Sequence, residues 1–237
     1  MILQKKENKT LSPISQLNLF GYDDYFNFFI NLFEGKNTPN TLLLSGFKGQ
    51  GKSTFVYHFT NYLLSKNEKN KYSLENFSIN ENNKSYKLLT SNTHPNFFLV
   101  DNKKGDKDIK IEQIRNLLKF ISKSTYSEDI KIVLIDNIEN LNINSSNSLL
   151  KVIEEPNINT FFFLVHNNSS KLLDTIKSRC IEFKFSFNTY EKKKIFKRLL
   201  GDYKMNINID DLLDHLYFDT PGNLIKYFII LNDANIN

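Results

Sequence analysis

Gly46-Phe47-Lys48-Gly49-Gln50-Gly51-Lys52-Ser53 meets the G-x-x-x-x-G-K-[ST] pattern in full. That spacing carries the chemistry of a phosphate-binding loop. Glycines let backbone N–H groups wrap a polyphosphate, and a helix starting behind them adds the positive end of its dipole. Lys52 would reach the outer phosphates, and the Ser53 hydroxyl would ligate a Mg²⁺ that bridges them. Gly46, Gly49, Gln50, Gly51, Lys52, Ser53 and Thr54 are therefore the candidate nucleotide contacts, with the polar end of Lys48 a possible addition.

A second candidate lies far downstream. Asp136 closes Ile130-Lys131-Ile132-Val133-Leu134-Ile135, the strongest strand pattern in the chain. A P-loop nucleoside triphosphatase carries its Mg²⁺-side aspartate at such a place. Ser53 and Asp136 are thus candidate Mg²⁺ ligands, and ATP or ADP is the candidate occupant of the loop. ATPases of this type generally place a glutamate directly after the aspartate, to activate the attacking water. Here that position is Asn137, and the nearest acid is Glu139. An amide cannot act as a general base. The residues support binding more than hydrolysis.

These side chains need a scaffold, and the chain supplies one in order. Residues 1–12 are read as a flexible lead-in. Phe26, Phe29, Ile30 and Phe33 recur at helical spacing, and Gly35, Asn37 and Pro39 end that helix. Leu42-Leu43-Leu44-Ser45 suits a buried strand, and Phe55, Val56, Phe59, Tyr62 and Leu63 form the helix after the loop. Residues 66–92, rich in Asn, Lys and Ser, are expected to be a surface insertion, partly mobile. Residues 96–101 and 130–136 are the second and third strands, with a helical stripe of Ile111, Ile114, Leu117, Leu118 and Ile121 between them. A helix over 145–155 stops at Pro156. A strand at 160–165, a short helix at 172–178 and a strand at 181–185 follow. Strands alternating with helices predict an α/β fold: a five-stranded, mainly parallel sheet covered on both faces. From residue 186 the pattern is helical, with Asn188 and Glu191 spaced as a capping box and further helices at 209–217 and 223–231. The expected division is therefore residues 1–185 and 186–237.

Composition restricts the alternatives. At 237 residues and 40% hydrophobic content, the chain can bury a sizeable core. Its net charge of +5 tolerates an anionic partner such as DNA without demanding one. Cys180 is the single cysteine, so neither an internal disulfide nor a Cys-rich zinc site can form within the chain. The four histidines lack metal-ligand spacing. No apolar run reaches the about 18 residues of a spanning helix, and the N-terminus lacks the apolar core of a signal peptide. No membrane association is expected, and the cytoplasm is the expected compartment.

Two longer motifs bring a family into view. Asn147-Ser148-Leu149-Leu150-Lys151-Val152-Ile153-Glu154-Glu155-Pro156 resembles the N-x-L-L-K-x-x-E-E-P signature of bacterial clamp-loader AAA+ subunits. Leu173-Asp174-Thr175-Ile176-Lys177-Ser178-Arg179-Cys180 resembles their L-x-T-I-x-S-R-C box, and Phe20-Gly21 their opening. Within that family the run from Gly46 and Thr93-His94-Pro95-Asn96 look closest to the delta-prime subunits of DNA polymerase III. The resemblance spans residues 17–231. It implies an AAA+ P-loop NTPase domain followed by a small helical lid, in a hetero-oligomer of clamp-loader subunits that acts on a sliding clamp and primer–template DNA. Arg179 then matches an arginine finger that reaches into the neighbouring subunit's ATP site, a role suited to a permanently charged, forked guanidinium. Cys180 becomes a small buried residue fixing the turn. His166 and Asn167 fall where the family places its first sensor.

The chain departs from the pattern in several ways. Residues 66–92 take the place of a four-cysteine zinc module that some members carry, so no zinc is expected. Asn223 stands near the second sensor, often an arginine, with Lys226 a substitute at best. The sequence also stops before the C-terminal collar of the family. The leading expectation is a subunit that binds neighbours, supplies Arg179 and binds ATP with weak or no hydrolysis. An ATP-hydrolysing motor subunit of the same loader is the alternative, favoured by the intact loop and opposed by Asn137. An unrelated P-loop kinase would leave the Ser178-Arg179-Cys180 box without a task. Arg115, Lys119 and Lys123 are candidates for DNA phosphate contact, or equally a solvated helix face.

Overall fold

A computed structural model describes residues 11–35, 38–102, 106, 108–123, 130–157, 159–168, 171–205 and 219–233. Five parallel strands form one sheet: β1 (Thr41–Ser45), β2 (Phe97–Val100), β3 (Lys131–Ile135), β4 (Thr160–His166) and β5 (Ile181–Lys184). Their order across the sheet is β2-β3-β4-β1-β5, so β1 lies between β4 and β5. Every residue of β1 and β3 is buried. Continuous apolar runs are what a parallel sheet covered on both faces requires. Within those runs alternate residues still part company. Leu42, Leu44, Ile132, Leu134, Phe163 and Val165 join one core, while Leu43, Val133, Ile135, Phe162 and Leu164 join the other.

The first core is aromatic. α1 (Asp23–Glu34) and α2 (Lys52–Leu64) meet through Phe26, Phe29, Phe55 and Phe59. Their ring centroids lie 5.0 Å apart for Phe29 and Phe55 and 5.4 Å for Phe26 and Phe59, both edge-on. Such pairs contribute roughly 0.5–1.5 kcal/mol each beyond their buried area. The second core is aliphatic. α4 (Ile111–Ser122) buries Ile114, Leu117 and Ile121 on it, and α5 (Ile143–Glu154) buries Leu149 and Ile153. Arg115, Lys119 and Lys123 stand on the exposed side of α4 and just past its end.

Residues 66–92 correct an expectation, because they are packed rather than peripheral. Tyr72, Ile79 and Leu89 enter the aromatic core. A short helix, α3 (Lys84–Thr90), is held at its start by polar side chains. Asn83, fully buried, accepts from Tyr86 N at 2.7 Å and from Asn61 Nδ2 at 3.0 Å, and donates to Asn70 O at 2.8 Å. Glu68 accepts from the backbone N of Lys84 and Ser85 at 2.7 and 3.0 Å. Side-chain amides here satisfy the backbone as a helix cap does.

Further on, the expected helix at 172–178 contracts to α6 (Asp174–Lys177). α7 (Thr189–Asp202) starts on the predicted capping box of Asn188 and Glu191. The helix expected at 209–217 lies outside the described residues. α8 (Pro221–Asp233) begins two residues earlier than expected, with Pro221 in the first turn where its missing N–H costs nothing. α7 and α8 pack through Phe196, Leu200, Leu224 and Ile225, a cluster separate from both sheet cores.

Candidate functional site

The loop between β1 and α2 is shaped by glycines in left-handed conformation. Gly49 has φ +84° and Gly51, the residue before α2, has φ +91°. A Cβ on Gly49 would lie 2.7 Å from Asn223 Oδ1, so both the angle and the space demand glycine. Lys52 is 3% exposed and folds back into the loop. Its ammonium donates to the carbonyls of Gly46 at 2.9 Å and Phe47 at 2.8 Å. Burial lowers its pKa to about 8, against the opposing pull of Asp136 and Glu139.

Sheet order brings Asp136 to the loop. It follows β3, which β4 separates from β1, at the carboxyl ends of the strands where open α/β sheets bind ligands. Ser53 Oγ donates to Asp136 Oδ2 at 2.7 Å, and Asn137 N donates to Asp136 Oδ1 at 2.9 Å. Burial raises the Asp136 pKa to about 6, and the nearby Asp101 carboxylate adds to the rise. The bonds from Ser53 and Asn137 and the charge of Lys52 oppose it. Paired oxygen donors beside a phosphate cradle suit a hard cation, so Ser53 and Asp136 could hold a Mg²⁺.

Asn137 adopts φ 55° and ψ 50°, a left-handed conformation that asparagine tolerates. Its side chain is bonded at both ends. Nδ2 donates to Asp101 Oδ1 at 2.7 Å, and Oδ1 accepts from Asn167 Nδ2 at 2.7 Å. Asn167 N donates in turn to Glu139 Oε2 at 3.3 Å.

A cavity of about 370 Å³ opens above the loop. Gly49, Gln50, Gly51, Lys52, Ser53, Thr54 and Asp136 line its phosphate end, so the sequence-derived candidates converge there. Gly46 lies beneath, as the acceptor of Lys52. The rest of the lining is largely apolar, with Leu11, Pro13, Leu19, Ile195, Leu199 and Ile225 beside the polar Gln16 and Asn18. A charged floor and an apolar wall match a nucleotide's phosphates and flat base. Leu11 thus has a place in the wall that its position in the expected lead-in did not suggest. The start of α8 closes over the loop: Thr220 Oγ1 donates to Lys48 O and Gly222 N to Gly49 O, both at 2.8 Å.

The profile of the family described as DNA polymerase III, delta subunit, matches residues 21–189, from the turn before α1 into the first turn of α7. The chain belongs to this family. Its sequence is 37% identical to a DNA polymerase III subunit delta' of Pseudomonas aeruginosa over 42% of this chain and 30% of that one. It is 32% identical to the same subunit of Buchnera aphidicola subsp. Schizaphis graminum, over 65% of this chain and 45% of that one. The chain therefore matches less than half the length of these two relatives. In fold it is similar to a RuvB variant of Thermotoga maritima, with a TM-score of 0.53 and 18% identity over 95% of this chain and 65% of that one. The fold is that of an AAA+ P-loop protein.

For this member of the DNA polymerase III delta-subunit family, Arg179 stands apart from the cavity. It lies just past α6, where its Nε donates to Glu154 Oε1 at 2.6 Å and Nη1 to Thr175 O at 2.8 Å. The pair is a surface one, with side chains 35% and 44% exposed. Cys180 beside it donates to Ile176 O, and burial raises its thiol pKa to about 12, leaving it inert. Lys226 lines the cavity from α8. The sequence did not reveal Asp101 as a partner of Asn137, because β2 and β3 become neighbours only in the sheet. Tyr22 was also missed. Its hydroxyl donates to Gln50 O at 3.0 Å, and the adjoining Gly21, at φ +77° against Ile195, was the one signal of a tight turn there.

Proposed function

We propose that the chain works as a clamp-loader subunit of the DNA polymerase III holoenzyme in DNA replication. In this reading residues 1–185 form the nucleotide-binding domain and 186–237 a helical lid. The loop holds ATP or ADP with Mg²⁺ between Ser53 and Asp136, and hydrolyses it weakly or not at all. Its partners are the other loader subunits and, through the assembly, the sliding clamp and primer–template DNA, in the cytoplasm. The observation that carries the reading is a complete phosphate loop bonded to Asp136, beside an Asn137 whose amide is tied at both ends. Binding groups are present where a general base is missing. The names of the delta' relatives supply the assembly.

Arg179 is the residue offered to the neighbouring subunit. Its guanidinium is exposed and held by a single carboxylate, Glu154, which a γ-phosphate can replace as a stronger anionic partner. Fingers of this kind are worth roughly 10³–10⁵ in rate. A motor subunit is the second reading. Glu139 favours it, since its charge acts on Lys52 and it accepts from Asn167.

Equilibrium ATP binding and steady-state turnover, measured beside Lys52→Ala, separate the two. Binding without turnover, lost in Lys52→Ala, is the expected result. Arg179→Ala should then slow ATP turnover of the reconstituted loader while leaving ATP binding to this chain intact. Robust turnover by the isolated chain would overturn the non-motor reading.

A further inference from the structure

Successive carbonyls of the phosphate loop are each held by a donor. Lys52 Nζ takes those of Gly46 and Phe47, Thr220 Oγ1 that of Lys48, and Gly222 N that of Gly49. The Gln50 carbonyl goes to the Tyr22 hydroxyl at 3.0 Å. Tyr22 belongs to neither the loop nor the start of α8, and its place is fixed independently of both. Its backbone O accepts from Phe26 N at 2.8 Å, which ties it to the first turn of α1. Its ring, 2% exposed, packs between those of Phe55, Phe185 and Phe187, with centroids 5.2, 5.2 and 5.1 Å away. Burial pushes the phenol pKa well above its ordinary value, so the hydroxyl keeps the proton it donates.

A trans peptide turns its N–H opposite to its C=O. With the Gln50 carbonyl drawn onto Tyr22, the Gly51 N–H faces away from the aromatic core, and Gly51 lines the cavity. It stands next to the N–H groups of Lys52, Ser53 and Thr54. Those have no acceptor within α2, whose first bond runs from Phe55 N to Gly51 O.

The backbone does not choose this orientation unaided. Gly51 has φ +91°, and turning the 50–51 peptide by half a rotation brings φ to about −90°, a region just as open to glycine. That turn would present the Gln50 oxygen where the Gly51 N–H had been. A Cβ on Gly51 would meet nothing nearer than Tyr22 Cε2 at 3.6 Å, an ordinary contact. Glycine is therefore required there by its angle and not by lack of room, and the angle depends on which way the peptide faces.

We propose that Tyr22 is a positioning residue of the phosphate site: by holding the Gln50 carbonyl it keeps the Gly51 N–H turned towards a bound phosphate. The inference rests on the nucleotide reading of the loop and adds a residue outside the loop that orders it before the nucleotide arrives.

The Gly51 amide can be watched alone. Gln50-Gly51 is the one Gln-Gly pair in the sequence, so ¹³C-carbonyl glutamine with ¹⁵N-glycine isolates its nuclear magnetic resonance signal in the full chain. In the wild type that signal should be single and sharp without nucleotide and should move on saturation with Mg-ADP. Tyr22→Phe keeps the ring and removes the hydroxyl. Its nucleotide-free signal should be displaced, broadened or doubled, and Mg-ADP affinity should fall about fivefold, as the competent orientation becomes a fraction of the population. At saturation the signal should return to the wild-type position, because the phosphate then holds the peptide. Thr220→Val frees the Lys48 carbonyl instead and should leave the Gly51 signal single and sharp. An undisturbed Gly51 signal in Tyr22→Phe overturns the proposal, even if affinity falls, since the hydroxyl would then serve stability alone. Equal disturbance by Thr220→Val overturns it as well, as general loosening of the loop. A wild-type signal already broad before Mg-ADP is added does the same without any variant. So does a wild-type chain that binds Mg-ADP with no response at Gly51, while sparing the nucleotide reading. Failure of the wild-type chain to bind ADP or ATP overturns both.

Discussion

Lys52 and Asp136 are held in opposite directions by the same cause. Burial disfavours both charges, lowering the lysine to about 8 and raising the aspartate to about 6. Among the described residues, Lys52 in the free protein has only carbonyl dipoles, from Gly46 and Phe47, as hydrogen-bond acceptors. Phosphate oxygens would offer it full negative charge and return its pKa towards the ordinary 10.5. Near pH 8 the lysine of the free protein therefore begins to lose its proton, well below its ordinary range. Binding of ATP there should be accompanied by net proton uptake. Calorimetry in two buffers of different ionisation enthalpy measures it, and no uptake would remove Lys52 from the phosphate site. The stability of the free chain carries the matching sign. Between about 8 and 10.5 the unfolded lysine still binds the proton that the folded one has lost, so stability rises with pH across that window.

The clearest lesson at the level of elements is the stretch from 66 to 92. Its composition of Asn, Lys and Ser reads as a surface segment, because local pattern cannot show which amides are buried. Asn83 bonds residues 13 and 22 positions away, and Glu68 caps a helix 16 positions on. Polar side chains do there what apolar burial does elsewhere, provided each finds its partner. Asn83→Ala would leave the Tyr86 N–H, the Asn61 amide and the Asn70 carbonyl without that partner. It should cost about 1–3 kcal/mol of stability in a denaturant titration. A loss within error of zero would mean that water replaces these bonds and that the segment adds nothing to the fold. The helices and strands that pack on apolar stripes need no such distant partners, and α1, α2, α4 and β3 lie close to where periodicity places them.

Across the whole molecule, the contact that matters most joins the first turn of α8 to the phosphate loop. Gly222 N donates to Gly49 O, and a Cβ on Gly222 would sit 2.5 Å from that same oxygen. Backbone meets backbone here, so no side chain can move aside. Gly222→Ala should push α8 off the loop, at about 1–3 kcal/mol of overpacking. The unfolding midpoint and ATP affinity should fall together. Wild-type affinity in a destabilised variant would show that the loop keeps its shape without α8.

By itself the sequence determined the loop, its lysine and serine, the strand ending in Asp136, the order of the α/β elements and the family resemblance. These features are local: their meaning lies in spacing over a few residues, and short-range backbone geometry enforces it. Tertiary structure alone decided the rest. Asp101, Asn137 and Asn167 end three different strands, and only the order β2-β3-β4 lays their side chains within hydrogen-bond reach. The apolar wall of the cavity likewise gathers Leu11, Ile195 and Ile225 from opposite ends of the chain. A parallel sheet pairs strands through crossovers, so neighbours in the site are distant in sequence. Which polar groups end up facing one another is set by that pairing and not by any local pattern.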